Sequence, residues 1–431
     1  NVEAGNLTLG SGITVRGNTG VIGNQSFVGG AATLINNGTI QADTAGGTIT
    51  LQINGGGGVT NNGTLAALNG GTLLLNSNVT GNSGSQILAG AGSTVVQNGV
   101  TLNGAINVNG AGTFRASANN NNFLDNATLN GTLDLASANG IERITNGLVL
   151  NGTVNIAKAS IFAPQGNQTI SGTGSIVFAD NDANNRLNVE AGNLTLGSGI
   201  TVRGNTGVIG NQSFVGGGGT LTNNGAIQAD VSGGTIVLAV TGGVTNNGTL
   251  AARNGGTLRV DNMGGVGVIN AGGTMVADVG STILLNGATI SGGALNGGGG
   301  FRAVASGANF LDNVTLNGTL DLASAFGIER VTGGMALNGT VNIGNASILA
   351  PQGNQTISGT GSIVFADGNG SNRLNLEAGN LTLGSGVTVR GNTGVIGQQN
   401  YVGGAATLTN QGSIVSDGGG TITVNPSGAL T

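Results

Sequence analysis

Short alternations of apolar and polar residues recur along the whole chain, each closed by glycine or asparagine. Leu7-Thr8-Leu9, Ile13-Thr14-Val15, Thr48-Ile49-Thr50-Leu51 and Val154-Asn155-Ile156 are bounded by Asn-Gly, Gly-Gly or Gly-Ser pairs. Period two between turn residues predicts short strands with one face turned inward. Asn and Gly suit the corners because both tolerate the left-handed backbone of sharp turns. Helix is poorly supported. Its best candidate, Asp134 to Arg143, is broken by Asn139-Gly140, and each interior glycine costs a helix about 1 kcal/mol.

The strands sit inside two nested periods. Residues 1–30 return unchanged at 188–217 and with conservative changes at 375–404, while the segment opening at Phe123 returns at Phe310, a spacing of 187. The chain therefore reads as repeat 1 at 1–187, repeat 2 at 188–374 and a truncated repeat 3 at 375–431. Between the first and third copies Val2 becomes Leu376, Ile13 becomes Val387 and Phe27 becomes Tyr401, so each position keeps a fixed side. The stretch 51–65 is two residues longer than its counterpart 238–250, a difference that belongs in a loop. Within the long repeat, Gly131, Gly152, Gly172 and Gly192 fall 21, 20 and 20 residues apart. That is the length of one solenoid turn. The expected fold is all-β, a right-handed parallel β-helix of about 20 residues per rung. At about 4.8 Å per rung it would stack roughly 21 rungs into one rod on the order of 100 Å, with inward Val, Ile and Leu and asparagine ladders at the corners.

Composition narrows this picture. Hydrophobic residues make up 38% and charged residues 7%, the reverse of a disordered chain. With 3% aromatics and no Trp, the core must be narrow and built of small aliphatics. The 12 basic and 17 acidic residues, net charge −5, form no basic stripe of the kind nucleic acid needs. Cys and His are both absent, which removes thiolate and imidazole metal ligands and the commonest general base. No apolar run reaches the roughly 18 to 20 residues of a membrane span. Because the repeats start and stop in mid-pattern, the expectation is a portion of a longer protein. Its expected partners are further copies of the repeat or of itself, joined end to end or laterally.

Carbohydrate hydrolysis would need two carboxyl groups facing each other across a cleft. The recurring candidates are Asp125, Asp134 and Glu142 with Arg143, returning as Asp312, Asp321, Glu329 and Arg330. Asp134 and Glu142 share a rung and could cluster on the surface. The simpler reading is solubilising or rung-bridging charge, since an active site duplicated intact in each repeat is unusual. Glu3 with Arg16, Glu190 with Arg203 and Glu377 with Arg390 are spaced to pair on adjacent strands, each exposed pair contributing about 0 to 1 kcal/mol. Asp180-Asn181-Asp182 resembles the opening of a calcium loop but lacks the following glycine and distal Glu. Its counterpart, Asp367-Gly368-Asn369, has lost the second acid. Asp180 and Asp182 are thus weak metal candidates. Gly55–Gly58 and Gly297–Gly300 lack the phosphate-loop Lys and read as loops. Thr8, Thr14, Thr48 and Thr50 point outward without forming a regular Thr-x-Thr face. No catalytic residue and no cofactor is assigned.

The motifs NNGTL (61–65 and 246–250), LNGTLDL (129–135 and 316–322) and GNLTLGSG (5–12, 192–199 and 379–386) resemble the repeats of filamentous-haemagglutinin-like adhesins and autotransporter passengers of Gram-negative bacteria. The resemblance covers essentially the whole chain. It implies export through an outer-membrane pore and service at the cell surface or in the extracellular matrix, in attachment, aggregation or biofilm formation, with a host or cell-surface glycan or protein as partner. The alternatives are a carbohydrate-active β-helix enzyme and an ice- or glycan-binding solenoid.

Overall fold

The computed structural model of the chain describes residues 1–2, 5–23, 31–53, 56–210, 218–261, 264–397 and 405–431. They fall into two compact units, Asn1–Gly219 and Thr220–Thr431. Each is a parallel β-solenoid, in which every strand pairs with the strands one turn away.

Unit 1 shows why. The inward column Ile49, Leu73, Val95, Phe114, Leu133, Val154, Ile176, Val202 runs in register through successive turns, and no member is more than 5% exposed. Polar neighbours on either side face outward, giving the half-buried, buried alternation of strands such as Thr132–Asp134. Unit 2 repeats the column as Ile236, Leu258, Ile283, Phe301, Leu320, Val341, Ile363, Val389.

The turns are longer and less even than the glycine spacing suggests. Among the described residues they take roughly 22 residues each, about 17 turns, against the expected 20 and 21. The strand after Gly131 stacks below the one after Gly152, and that below the one after Gly174. A side chain on Gly152 or Gly174 would overlap the carbonyl of the glycine one turn away. Gly192 belongs to a different column, over Gly166. Equal spacing in sequence had joined glycines of two corners.

The expected asparagine ladders are present on both faces of the wall. Outside, Asn151 donates to Asn130 and Asn130 to Asn109, at 2.8 and 2.7 Å; Asn338, Asn317 and Asn296 repeat this in unit 2. Inside, Asn223 donates to Asn246 and Asn246 to Asn270, at 2.8 and 2.7 Å, all three fully buried. The segment Asp134–Arg143 supplies only a 3-10 turn, Ala136–Ala138, ended by Asn139 in the left-handed region (φ 46). Among the described residues no helix is long and apolar enough to cross a membrane.

Candidate functional site

The recurring charges fall on two strand columns in each unit, Asp134 between Arg115 and Asn155 on one and Asp125 with the strand of Glu142 and Arg143 on the other, and alternation decides which way each points. In Ile141–Leu150, Glu142 faces the core and Arg143 faces out. Asp134, in the preceding strand, also faces out, where its Oδ1 accepts from the backbone N–H of Ala136 and its carboxylate from Ser137. The wall therefore separates Asp134 from Glu142, and the surface cluster expected from their shared rung does not form. Asp125 bridges turns, accepting from Asn103 Nδ2 at 2.7 Å and Asn146 Nδ2 at 2.6 Å. Asp312 accepts from Thr332 at 3.2 Å, and Asp321 lies 3.7 Å from Arg302.

Glu142 and Glu329 are fully buried, and neither carboxyl oxygen of either residue finds a hydrogen-bond partner among the described residues. Burial pushes both carboxyls well above the ordinary range. For Glu142, Gln97 and the Leu124 backbone oppose the shift; for Glu329, the Arg330 charge does. Gln97 Nε2 donates to the carbonyls of Val100 and Phe123, whereas its Oε1 has no donor. In unit 2 the position of Gln97 is held by Leu285, so Glu329 has no corresponding amide.

The outward-facing, half-buried arginine on the equivalent strand of unit 2 reaches a carboxylate 47 residues ahead. Arg330 Nε donates to Glu377 Oε2 at 3.0 Å, and Asn375 Nδ2 to Glu377 Oε1 at 3.3 Å. Arg330 also covers the Phe310 ring, 5.8 Å from its centroid. In unit 1 Arg143 stands 3.7 Å from Glu190, whose Oε2 takes a closer bond from Gln165 at 2.9 Å. The pairings Glu190 with Arg203 and Glu377 with Arg390 are thus corrected: sequence neighbours on adjacent strands lost to partners two turns apart. Arg390 pairs instead with Asp417 and Arg16 with Asp43, each at 2.6 Å. Glu3 lies outside the described residues.

Asp180 and Asp182 shape their own loop. Asp180 Oδ1 accepts from Asn185 at 2.7 Å and its Oδ2 from the Lys158 N–H; Asp182 Oδ1 accepts from the Asn184 N–H at 2.8 Å. At Asp367 burial raises the carboxyl, but bonds from Asn372, Asn369 and Asn345 outweigh it and leave it below its usual range. Among the described residues no three carboxylates gather as a metal site would require.

The sequence reading also missed a column. Thr48, Thr72, Thr94, Thr113, Thr132 and Thr153 stack in register on the outside of unit 1. Their signal was a strand-opening Thr, usually after Gly. The next outward column passes Thr50, Leu74, Val96 and Arg115, so a Thr-x-Thr face does not follow. No protein-family model, curated protein or solved structure matches the chain.

Proposed function

We propose that the chain is the repetitive shaft of a secreted surface or matrix fibre, acting in attachment, aggregation or biofilm formation, with no reaction and no cofactor. The observation that carries this reading is the employment of the recurring charges. Asp134 ends a turn, Asp125 ties three turns together, Arg330 and Glu377 tie strands two turns apart, and Glu142 lies on the far side of the wall from Asp134. Side chains used this way hold a stack of turns in register. A solenoid presents long, regular flanks, and display along such flanks suits adhesion better than a single deep pocket does. The surface location and the Gram-negative export route rest on the resemblance of the NNGTL and LNGTLDL repeats.

A carbohydrate-active enzyme is the alternative that one assay separates. Turnover on neutral and acidic polysaccharides is measured for the chain and for Asp134→Ala and Glu142→Ala. The fibre reading expects no cleavage; cleavage lost on either substitution would overturn it.

A further inference from the structure

Unit 2 carries an Asn-Gly pair that is not built into the stack. Unit 1 reads Asp180-Asn181-Asp182-Ala183, and the same loop of unit 2 reads Asp367-Gly368-Asn369-Gly370. Asn369 makes the turn that Asp182 makes: its Oδ1 accepts from the Ser371 N–H at 2.9 Å, as that of Asp182 does from Asn184 at 2.8 Å. Gly370 is exposed, a Cβ there would meet nothing within 4 Å, and its N–H has no acceptor among the described residues. The Asn369 amide nitrogen donates to none of them either.

An asparagine side chain and the next backbone nitrogen are the two halves of a cyclic imide. Attack of the Gly370 nitrogen on Asn369 Cγ needs a polarised carbonyl, an acidified N–H and open space. The loop supplies all three. The Ser371 N–H points at the oxygen on which charge develops during attack. The Asn372 N–H bonds the Asn369 backbone carbonyl at 3.1 Å, which draws electron density from the Gly370 nitrogen through the peptide resonance. Glycine has no Cβ to shield that nitrogen. The ladder pair Asn338-Gly339 has the same dipeptide without this freedom. Asn338 Nδ2 donates to Asn317 at 2.9 Å, the Gly339 N–H donates to the Leu316 carbonyl at 3.0 Å, and a Cβ on Gly339 would overlap the Gly318 carbonyl oxygen.

We propose that Asn369-Gly370 is a site of self-modification. The Gly370 nitrogen gives its proton to a solvent base and bonds to Cγ, the Cγ–Nδ2 bond breaks, and ammonia leaves. Water then opens the succinimide at Cγ to give aspartate, or at the backbone carbonyl to give isoaspartate. Each event adds a negative charge at the position where unit 1 carries Asp182 from the start. The aspartate product keeps the turn, because a carboxylate accepts from Ser371 as Asp182 does from Asn184. This goes beyond the fibre role, and its failure would leave that role untouched.

Ageing the whole folded chain at mildly alkaline pH, followed by tryptic mapping against an unaged reference, tests it. Asn338 and Asn369 share the peptide between Arg330 and Arg373, so every copy carries its own control. Asn369 should gain the mass of an NH2-to-OH exchange at least about tenfold faster than Asn338, with isoaspartate among the products by electron-transfer fragmentation. In urea, where the ladder is gone, the two should react at like rates. Gly370→Ala, which meets no neighbour, should slow Asn369 about tenfold or more and leave the circular dichroism spectrum unchanged. No mass gain at Asn369, Asn338 keeping pace with it in the folded chain, a lead of Asn369 that persists in urea, or a rate unchanged by Gly370→Ala would overturn the proposal.

Discussion

Arg330 Nε stands 3.0 Å from Glu377 Oε2 across 47 residues of chain, with the two side chains 15% and 3% exposed. Removing the arginine leaves a carboxylate in the wall without its counter-charge, which costs about 3–5 kcal/mol for a buried pair. Because Arg330 is partly exposed, the low end applies. Arg330→Leu should lower the urea midpoint of unit 2 markedly, and Arg330→Leu with Glu377→Gln should recover most of the loss. Equal destabilisation in the single and double variants would show that the charge is not what matters.

The buried glutamates set a pH dependence of definite sign. Folding raises the Glu142 and Glu329 carboxyls, so the folded state holds protons that an unfolded chain releases above pH ~4.3. Their contribution is fully present below that value. It is lost as pH rises toward the elevated folded pKa, at up to about 1.4 kcal/mol per pH unit for each group. Glu142→Gln and Glu329→Gln should flatten the slope in their own units and raise stability at neutral pH. Urea midpoints taken between about pH 4 and 8 read this directly; a slope unchanged by both substitutions contradicts it.

Stacking leaves no room at certain corners. A Cβ on Gly152 would overlap the Gly131 carbonyl oxygen, whereas one on Gly370 meets nothing within 4 Å. Gly152→Ala should therefore cost about 1–3 kcal/mol, as overpacking does, and Gly370→Ala should be close to neutral. Hydrogen exchange across the strands Thr132–Asp134 and Thr153–Ile156 would localise the effect, since solenoid turns open locally.

Within unit 2, Asn246 links Asn223 to Asn270 and also donates to the carbonyls of Gly248 and Thr274. Asn246→Leu fills the volume but strands those partners, at about 1–3 kcal/mol for a buried unsatisfied group. An unchanged thermal midpoint would mean that the inner ladder contributes nothing net.

The architecture was legible because strand alternation and corner chemistry are local. Leu133 had to face in once Thr132 and Asp134 faced out, and Asn130 had to sit at a corner beside Gly131. Turn length was less legible, since Gly152 stacks with Gly174 rather than Gly172, and only register reveals which glycine shares a corner. The charged contacts were least legible. Arg330 finds Glu377 because two turns of unequal length bring them together, and no fixed spacing encodes that. The inward placement of Glu142 follows from alternation with Arg143 and Ile144, yet a charged residue type argues against burial until its proton is counted.

The most direct test of the fibre account displays the chain on a non-adherent bacterium and measures aggregation and retention on abiotic and cell-coated surfaces under flow. The account predicts a clear gain in both, retained when Asp134 and Glu142 are replaced. No gain over the undisplayed control, together with polysaccharide cleavage that depends on those two residues, would contradict it.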